Sequence, residues 1–282
     1  MGNRLRITVL VENFAGRRGV LAEHGLAFGI NLRGRTALFD TGQGLALAHN
    51  AKVLSFDLGG VGDVILSHGH YDHADGLGEV FKAGSHARMY VHPAAIAPKY
   101  ARSDDGESHD IGMSPATKEL IHKCGDRVTW TRQPTEVYEG LFVTGEIPRR
   151  TEYEDVGGPF CSDQGGQPDP LIDDQAVFVD TRLGTVVLLG CGHAGVVNTL
   201  LHVGELTGGR PIHAVMGGMH LVNASRERVQ RTIDDLRGLD IARMGPGHCT
   251  GHAAIAKLWS AFPGTCHPCA TGMTMEFEID DA

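Results

Sequence analysis

The sequence predicts an α/β protein in which β-sheets stack on one another and helices cover the outside. Short apolar runs separated by turns fill the N-terminal half, a hairpin follows, and the C-terminal part alternates helices with strands. Such a mixture of hairpins with strand and helix alternation is typical of layered sheets flanked by helices. No linker rich in proline, glycine or serine divides the 282 residues, which favours a single domain over 1–282.

The elements of the first half follow from their apolar runs and turn residues. Two strands are predicted at 26–32 and 35–39. Arg33-Gly34 joins them, and this dipeptide suits a hairpin turn. The further strands expected in this half lie at 6–11, 63–66 and 89–91. Helical spacing of apolar residues predicts helices at 45–56, 76–82 and 115–124.

The second half is expected to contain a hairpin over 176–189 that turns at Arg182-Leu183-Gly184. Its other strands are predicted at 127–131, 140–144, 212–216, 241–244 and 273–279, and its helices at 196–206, 226–239 and 253–262. Two polar stretches, near 98–114 and 148–174, carry little periodicity. Loops of this length in a compact domain are often lids or binding loops, so we expect both to act as lid loops over the functional site.

Composition and charge exclude several classes of function. A net charge of −9 without a basic cluster argues against nucleic-acid binding. The longest apolar runs are far too short to span a bilayer, and the N-terminal segment lacks a signal-peptide pattern. Six scattered cysteines suit a reduced compartment. We therefore expect a cytoplasmic protein with a small-molecule substrate and no nucleic-acid or membrane partner; the oligomeric state stays open.

A dense cluster of ligating side chains follows the apolar strand at 63–66, where the sequence reads SHGHYDHADGL. His68 and His70 are two residues apart, so in an extended segment they project to the same side. Asp72 and His73 follow where the chain turns into the next helix. Imidazole nitrogens and carboxylate oxygens are ligands of zinc and related metals. A solvated polar loop is the alternative, but such a run arising by chance is improbable, and we predict a metal site completed by distant loops.

Further motifs identify a family. LFDTG at 38–42, HGHYDH at 68–73, GCGHAG at 190–195 and GPGHCTG at 245–251 resemble the metallo-β-lactamase fold superfamily. Within it, GCGHAGVVNTL, GGMHL and GHCTG are similar to the branch that includes archaeal dihydropterin-ribofuranosylaminobenzene-phosphate synthases and many bacterial metal-dependent hydrolases. The resemblance implies an αββα sandwich of two mixed sheets flanked by helices, with a metal site at one edge.

The resemblance also implies roles for individual residues. His68 and His70 would hold one metal ion, and Asp72 and His73 a second. Asp40 would lie behind the ligands and orient a histidine ring, although an ordinary turn carboxylate is the alternative. The family's usual cofactor implies zinc, with two ions per chain, and iron or manganese remain open.

At the remaining ligand positions, this chain matches the family's residues less completely. His248 matches the C-terminal metal histidine, unless it only caps a helix. Cys191 falls where the family has a bridging aspartate or cysteine, and His193 comes two residues later, so either side chain could be the ligand there. Glu146, in TGEIPR, stands where a histidine would be expected.

Several residues outside these motifs could serve the site or the core. We consider Glu146, Arg149 and His220 candidate substrate-binding residues. Cys266 and Cys269 form a CxxC, but a zinc knuckle needs a second such pair, so we do not expect a metal site there and their role stays open. His252 is expected behind the ligands or at the surface.

Metal ions with open coordination positions lower the pKa of bound water and polarise a substrate oxygen, which favours hydrolysis. We predict a metal-dependent hydrolase that uses a metal-bound hydroxide on a small ester, lactone or phosphoester. By the resemblance, Asp72 would be the catalytic residue that orients the water. A group transferase joining a dihydropterin to an arylamine, of the dihydropteroate-synthase-like type, is the alternative, and a non-catalytic metal-containing binding protein is a second. Arginines at 102, 149 and 150 could grip phosphates, but acidic residues offset them and favour the hydrolase.

Overall fold

The strands form two large mixed sheets in the computed structural model, which describes residues 4–280. The first sheet has seven strands in the spatial order β16 (Thr274–Glu278), β1 (Arg4–Val11), β2 (Ala27–Leu32), β3 (Arg35–Phe39), β4 (Asp63–Ile65), β5 (Arg88–Val91) and β8 (Val128–Trp130). Its strands are antiparallel from β16 to β3 and parallel from β3 to β8. The parallel part places the ends of β3 and β4 side by side.

The second sheet has six strands in the order β15 (Arg243–Gly247), β14 (Ile212–Gly218), β13 (Gly184–Leu189), β12 (Val177–Thr181), β10 (Leu141–Val143) and β9 (Thr135–Tyr138). Strands β13, β14 and β15 are parallel, and the others are antiparallel. A small third sheet consists of β11 (Phe160–Cys161), β6 (Tyr100–Arg102) and β7 (Ser108–Asp110).

Within residues 4–280, seven α-helices connect the strands: α1 (Leu47–Val53), α2 (Tyr71–Ala74), α3 (Leu77–Lys82), α4 (Pro115–Cys124), α5 (Val196–Leu206), α6 (Arg226–Gly238) and α7 (His252–Ala261). Short 3-10 helices span Pro93–Ile96, Gly125–Arg127 and His248–Thr250. Local sequence starts α4 and α6, because Ser114 and Ser225 each accept a backbone hydrogen bond at the N-cap. Among residues 4–280, every helix is too short or too polar to cross a bilayer.

Three apolar clusters divide the molecule into four layers. One cluster contains residues from both large sheets and includes Phe28 and Leu188. The second packs the first sheet against α1, α3 and α4, and the third packs the other sheet against α5, α6 and α7. Along β13, Val186 faces the other sheet and Val187 faces the helices, so the strand is apolar on both sides. The predicted αββα sandwich with mixed sheets is therefore confirmed.

Several elements differ from the sequence prediction. The helix predicted at 45–56 covers only Leu47–Val53, because Ser55 adopts a left-handed backbone with φ 54°. Strand β9 was not predicted, and β6, β7 and β11 lie inside the two polar stretches. These strands are two to four residues long and β6 pairs with β11 across a wide gap in sequence. Runs this short carry no readable periodicity, so only tertiary pairing defines them.

Candidate metal centre

The candidate site lies where strands of both large sheets end. Asp40 directly follows β3, and the HGHYDH motif follows β4. In the second sheet, Cys191 and His193 follow β13, His220 follows β14, and His248 follows β15. The carboxyl ends of parallel strands meet at one edge of a sheet, where α/β proteins commonly place their ligands. Residues far apart in sequence are thereby brought together at this edge.

Three histidines form the first group of potential metal ligands. His68, His70 and His193 each offer a ring nitrogen, and these nitrogens lie within 4.8 Å of one another. His68 Nε2 is 2.9 Å from His70 Nδ1. All three side chains are buried, and Nε2 of His193 has no hydrogen-bond partner among the described residues. A buried imidazole nitrogen without a partner is costly unless it binds a proton or a cation.

A second group surrounds His73. Its Nε2 lies 3.1 Å from Cys191 Sγ and 3.1 Å from His248 Nε2. Asp72 Oδ2 is 3.3 Å from His248 Nε2 and 3.7 Å from His73 Nε2. The N-cap residue of α2 is His70, so Asp72 lies within the first turn of the helix, and its Oδ2 faces the two histidines. The side chains of four potential ligands therefore converge beside the first group: Asp72, His73, Cys191 and His248.

Outer hydrogen bonds orient the rings of these histidines. Nδ1 of His73 donates to Asp40 Oδ2 at 2.6 Å, and Nδ1 of His193 donates to the Val156 carbonyl oxygen at 2.7 Å. Nδ1 of His248 lies 2.9 Å from Asn13 Oδ1. These acceptors assign the Nδ1–H tautomer and leave each Nε2 lone pair facing inward. Such an arrangement is the usual support of metal-binding histidines.

Electrostatics favour a cation beside Asp72 and His73. Burial by itself would raise the pKa of Asp72, but the imidazoles of His73 and His248 outweigh it and hold that pKa well below the ordinary range. Burial would lower the pKa of His73, but the carboxylates of Asp72 and Asp40 raise it to about 9. The two carboxylates therefore stabilise positive charge at His73 Nε2, whether it is a proton or a metal ion.

The first group has the opposite electrostatics. Burial lowers the pKa of His68, His70 and His193 well below the ordinary histidine value, and the neighbouring imidazoles add to the shift. These rings are therefore neutral at pH 7, which is the form that binds a metal ion. The donor set, the inward lone pairs and the unpartnered His193 Nε2 fit a divalent metal ion.

Comparison with known proteins agrees with this geometry. The sequence model of the metallo-beta-lactamase superfamily matches residues 23–248, a range that holds Asp40 and every donor residue described above. The chain belongs to the metallo-β-lactamase superfamily. Members of this superfamily are mostly metal-dependent hydrolases, and their fold implies a divalent metal ion.

Three similar proteins align with nearly the whole length of this superfamily member. An uncharacterized protein of Methanocaldococcus jannaschii is 31% identical over 254 residues, covering 89% of this chain and 93% of the relative. A second protein of that organism, 7,8-dihydropterin-6-methyl-4-(beta-D-ribofuranosyl)-aminobenzene-5'-phosphate synthase, is 28% identical over 272 residues and 92% of each chain. A crystal structure described as a metal-dependent hydrolase of the beta-lactamase superfamily matches with a TM-score of 0.80 and 28% identity, covering 97% and 99% of the two chains. The predicted resemblance is confirmed.

The candidate substrate-binding residues lie in different surroundings in this metallo-β-lactamase superfamily member. The ring centroid of His220 is 4.3 Å from that of His193, so His220 borders the donor groups. Arg149 instead donates to the carbonyl oxygens of His193 and Pro170 and holds the backbone behind the site. Glu146 pairs with His92 and Arg132 and belongs to none of the donor groups found among residues 4–280. Of the three candidates, the structure brings only His220 to the cluster.

The CxxC cysteines lie in different layers of the protein. Cys269 packs in the core between the sheets, and Cys266 packs between the second sheet and the helices. Neither belongs to a donor group among the described residues, so their placement agrees with a packing role. His252 is exposed at the start of α7, where its ring contacts Phe14 edge-on at 4.9 Å between centroids.

Residues near the N-terminus hold His248 in place and were missed in the sequence. Glu12 accepts hydrogen bonds from the backbone nitrogens of His248, at 2.6 Å, and Phe14, at 2.7 Å. His248 has a left-handed backbone with φ 49°, which is strained for a histidine, and these contacts stabilise it. The sequence VEN at the end of β1 gave no local signal of this role, because its partner is more than two hundred residues away.

Two further residues border the donor groups and were also missed. His24 Nε2 lies 3.3 Å from Asp72 Oδ2, and half or more of its side chain is exposed. Cys249 follows His248 directly and is buried. Its position inside GHCTG was the only sequence signal for Cys249, and His24 had none.

A buried ion pair fixes the turn that carries His68 and His70. Lys99 Nζ lies 2.8 Å from Asp173 Oδ1 and 3.1 Å from Asp169 Oδ2, and the lysine is 2% exposed. The other oxygen of Asp173 accepts the backbone N–H of Gly69 at 2.8 Å. Lys99 comes from the stretch 98–114 and the aspartates from 148–174, so both polar stretches are tied to the turn that carries His68 and His70.

Replacing Lys99 with methionine is expected to lower the free energy of unfolding by about 3 kcal/mol, because it leaves buried carboxylates without their cation. Urea unfolding measures this change. Metal affinity should also fall, since Asp173 positions Gly69 between the two histidines. Lys82→Met is the matched control, because its ammonium pairs with Glu79 at the surface and its side chain is 75% exposed. Equal stability of the two variants would contradict the role of the buried pair.

Proposed function

We propose that this chain is a zinc-dependent hydrolase acting on a small-molecule ester, lactone or phosphoester. The observation that carries the proposal is the convergence of two buried donor groups, with the ionised carboxylate of Asp72 facing one of them. Nitrogen and sulfur donors together favour zinc over magnesium or calcium, and two groups suggest two ions. Six unpaired cysteines suit a reducing, cytoplasmic location.

The first ion would be held by His68, His70 and His193. The second would be held by Asp72, His73 and His248, with Cys191 between the two positions because its Sγ belongs to groups on both sides. In this arrangement His193 would bind the first ion and Cys191 would lie between the two ions. Metal ions in such sites lower the pKa of water and polarise a substrate oxygen.

Asp72 is the residue we propose to orient the attacking water. Its carboxylate stays ionised, so it can accept a hydrogen bond from water and orient that water. Oδ2 of Asp72 also contacts His24, whose exposed ring connects the site with solvent.

The stretches 98–114 and 148–174 are proposed to be the lid. They pair with each other through β6 and β11, where Phe160 lies opposite Ala101. The ring centroid of Phe160 is 5.3 Å from that of His70 and 5.1 Å from that of His193. An aromatic side chain placed over the donor nitrogens excludes water and strengthens electrostatic interactions in the site.

Replacing Phe160 with alanine is expected to raise KM several-fold and to speed metal loss to a chelator, because the donor groups become open to water. Steady-state kinetics and the rate of zinc release measure the two effects. Phe142→Ala is the control, since Phe142 stacks on Phe178 in the outer part of the second sheet. Similar KM and zinc release in both variants would show that the stretch is not a lid.

A group transferase is the second candidate, and the name of the 28% identical synthase supports it. A transferase that acts on phosphate-bearing substrates needs free cations in its lid. Arg149 is bound to backbone carbonyl oxygens and Arg150 is paired with Glu205. Arg102, in β6, has no ion pair among the described residues, so only one of the three arginines stays available, and this favours the hydrolase.

The experiment is a substrate screen of the zinc-loaded chain. Chromogenic esters, lactones and phosphodiesters test the hydrolase, and release of pyrophosphate from a dihydropterin pyrophosphate with an arylamine tests the transferase. His122→Ala, on the exposed face of α4, is the control for histidine loss and should keep full activity. Zinc binding without turnover in either arm would leave the chain a metal-containing binding protein.

A further inference from the structure

Cys249 lies inside the group of potential metal ligands. Its Sγ, Cys191 Sγ and a ring nitrogen of His248 are within 4.8 Å of one another, and all three residues are buried. Cys249 Sγ also donates a hydrogen bond to the Cys191 carbonyl oxygen, with 3.4 Å between the atoms. Two sulfurs on one tetrahedral zinc ion lie about 3.8 Å apart, given Zn–S bonds of about 2.3 Å. The two sulfurs are therefore close enough to share an ion.

Packing does not account for these two cysteines. Cys124, Cys266 and Cys269 each belong to one of the apolar clusters of the core, whereas Cys161, Cys191 and Cys249 belong to none of them. Of these three, only Cys191 and Cys249 lie within 4.8 Å of potential metal ligands among residues 4–280. The neighbours of Cys191 and Cys249 are the histidines at the ends of β13, β14 and β15. A buried thiol among imidazoles has the surroundings of a ligand rather than of a small apolar residue.

The backbone leaves space for both sulfurs. Gly218 ends β14, and a Cβ atom there would lie 2.5 Å from Cys249 Sγ and 3.1 Å from the Cα atom of Cys191. Any side chain at this position would push the thiol of Cys249 away from Cys191. The glycine therefore permits the close approach of the segments that carry the two cysteines.

We propose that Cys249 is a metal ligand and forms a thiolate pair with Cys191 at the second metal position. His248 would bind the same ion. This inference rests on the proposed metal centre and specifies its chemistry. Each thiol that binds loses its proton to solvent as its sulfur–metal bond forms, so the reaction is balanced without an oxidant. Among residues 4–280, Cys191 Sγ lies within 4.8 Å of donor atoms of several histidines, which places it where the pair can meet them. These histidines are His68, His73, His193, His220 and His248.

A dithiolate position has a distinct metal preference. Thiolate sulfur is a soft ligand that favours zinc, cadmium and cobalt over magnesium and manganese. The second position should therefore bind cadmium strongly. The all-histidine position of His68, His70 and His193 should discriminate less between these metals. A carboxylate and imidazole site without sulfur would lack this preference.

Cobalt substitution tests the proposal. The full chain, stripped of metal and loaded with Co²⁺, should show a near-ultraviolet sulfur-to-cobalt band from two thiolates. Cys249→Ser and Cys191→Ser should each lose about half of its intensity, and the double variant should lose all of it. Cys124→Ser, in the outer core beside α4, is the control and should keep the full band.

The outcomes separate this inference from the proposed function. A band unchanged by Cys249→Ser would overturn the thiolate pair while leaving the metal centre intact. Cobalt absorption without any sulfur band would do the same, whereas a chain that binds no cobalt would contradict both proposals. Cadmium-113 NMR of the unmodified chain gives an independent readout, because its chemical shift reports the number of sulfur ligands even if a serine variant fails to fold.

Discussion

Replacing His68 and His70 together with alanine removes at least one equivalent of metal from a protein that keeps its fold. These residues supply two of the three nitrogens in the first donor group, so His193 alone would remain at that position. Loss of one supporting contact in a metal site typically costs 10–100-fold in affinity, and loss of two direct ligands should cost more than about 100-fold. Elemental analysis after dialysis measures the expected loss.

Two observations check this result. Circular dichroism should show an unchanged fold, because the two histidines lie in the turn after β4 and outside the three apolar clusters. The variant His122→Ala should keep its metal content, since that side chain is exposed on α4. Full metal content in the double variant would remove the central claim about this site.

Replacing Asp72 with asparagine is expected to reduce kcat by at least about 100-fold while the chain retains most of its metal, in line with the usual contribution of general acid–base catalysis. An amide has nearly the same shape as the carboxylate, but it cannot accept a proton and is a poorer anionic ligand. Binding of an inert substrate analogue should change much less, since the other ligands and the lid remain.

Kinetics and metal content must be measured in parallel on the Asp72→Asn variant. A helix-capping role would make asparagine nearly silent, because asparagine is itself a good N-cap residue. The structure disfavours that role, because His70 and not Asp72 occupies the N-cap position of α2, and Oδ2 of Asp72 lies 3.3 Å from His248 Nε2. Near-normal turnover at full metal occupancy would exclude Asp72 from the mechanism.

Local sequence was sufficient wherever the signal lay within a few residues. The period-two and helical patterns located most strands and helices, and HGHYDH placed four ligating residues in one turn. Boundaries were less certain because helices end where the backbone changes conformation, as at Ser55 with φ 54°. The short strands β6, β7 and β11 could not be read, since they exist only through pairing between distant stretches.

The residue types and spacing in the turn after β4 were sufficient by themselves to predict a metal site, because these side chains stay close together wherever that turn is placed. Only the tertiary structure decided which other residues meet them. His193, Cys191, Cys249 and His248 come together because β13, β14 and β15 are parallel and end at one edge. Lys99 supports the site through Asp173, which lies 74 positions away in sequence, and Glu12 and Asn13 support it through His248, which lies 236 and 235 positions away. Such contacts depend on packing in three dimensions, which local sequence patterns do not encode.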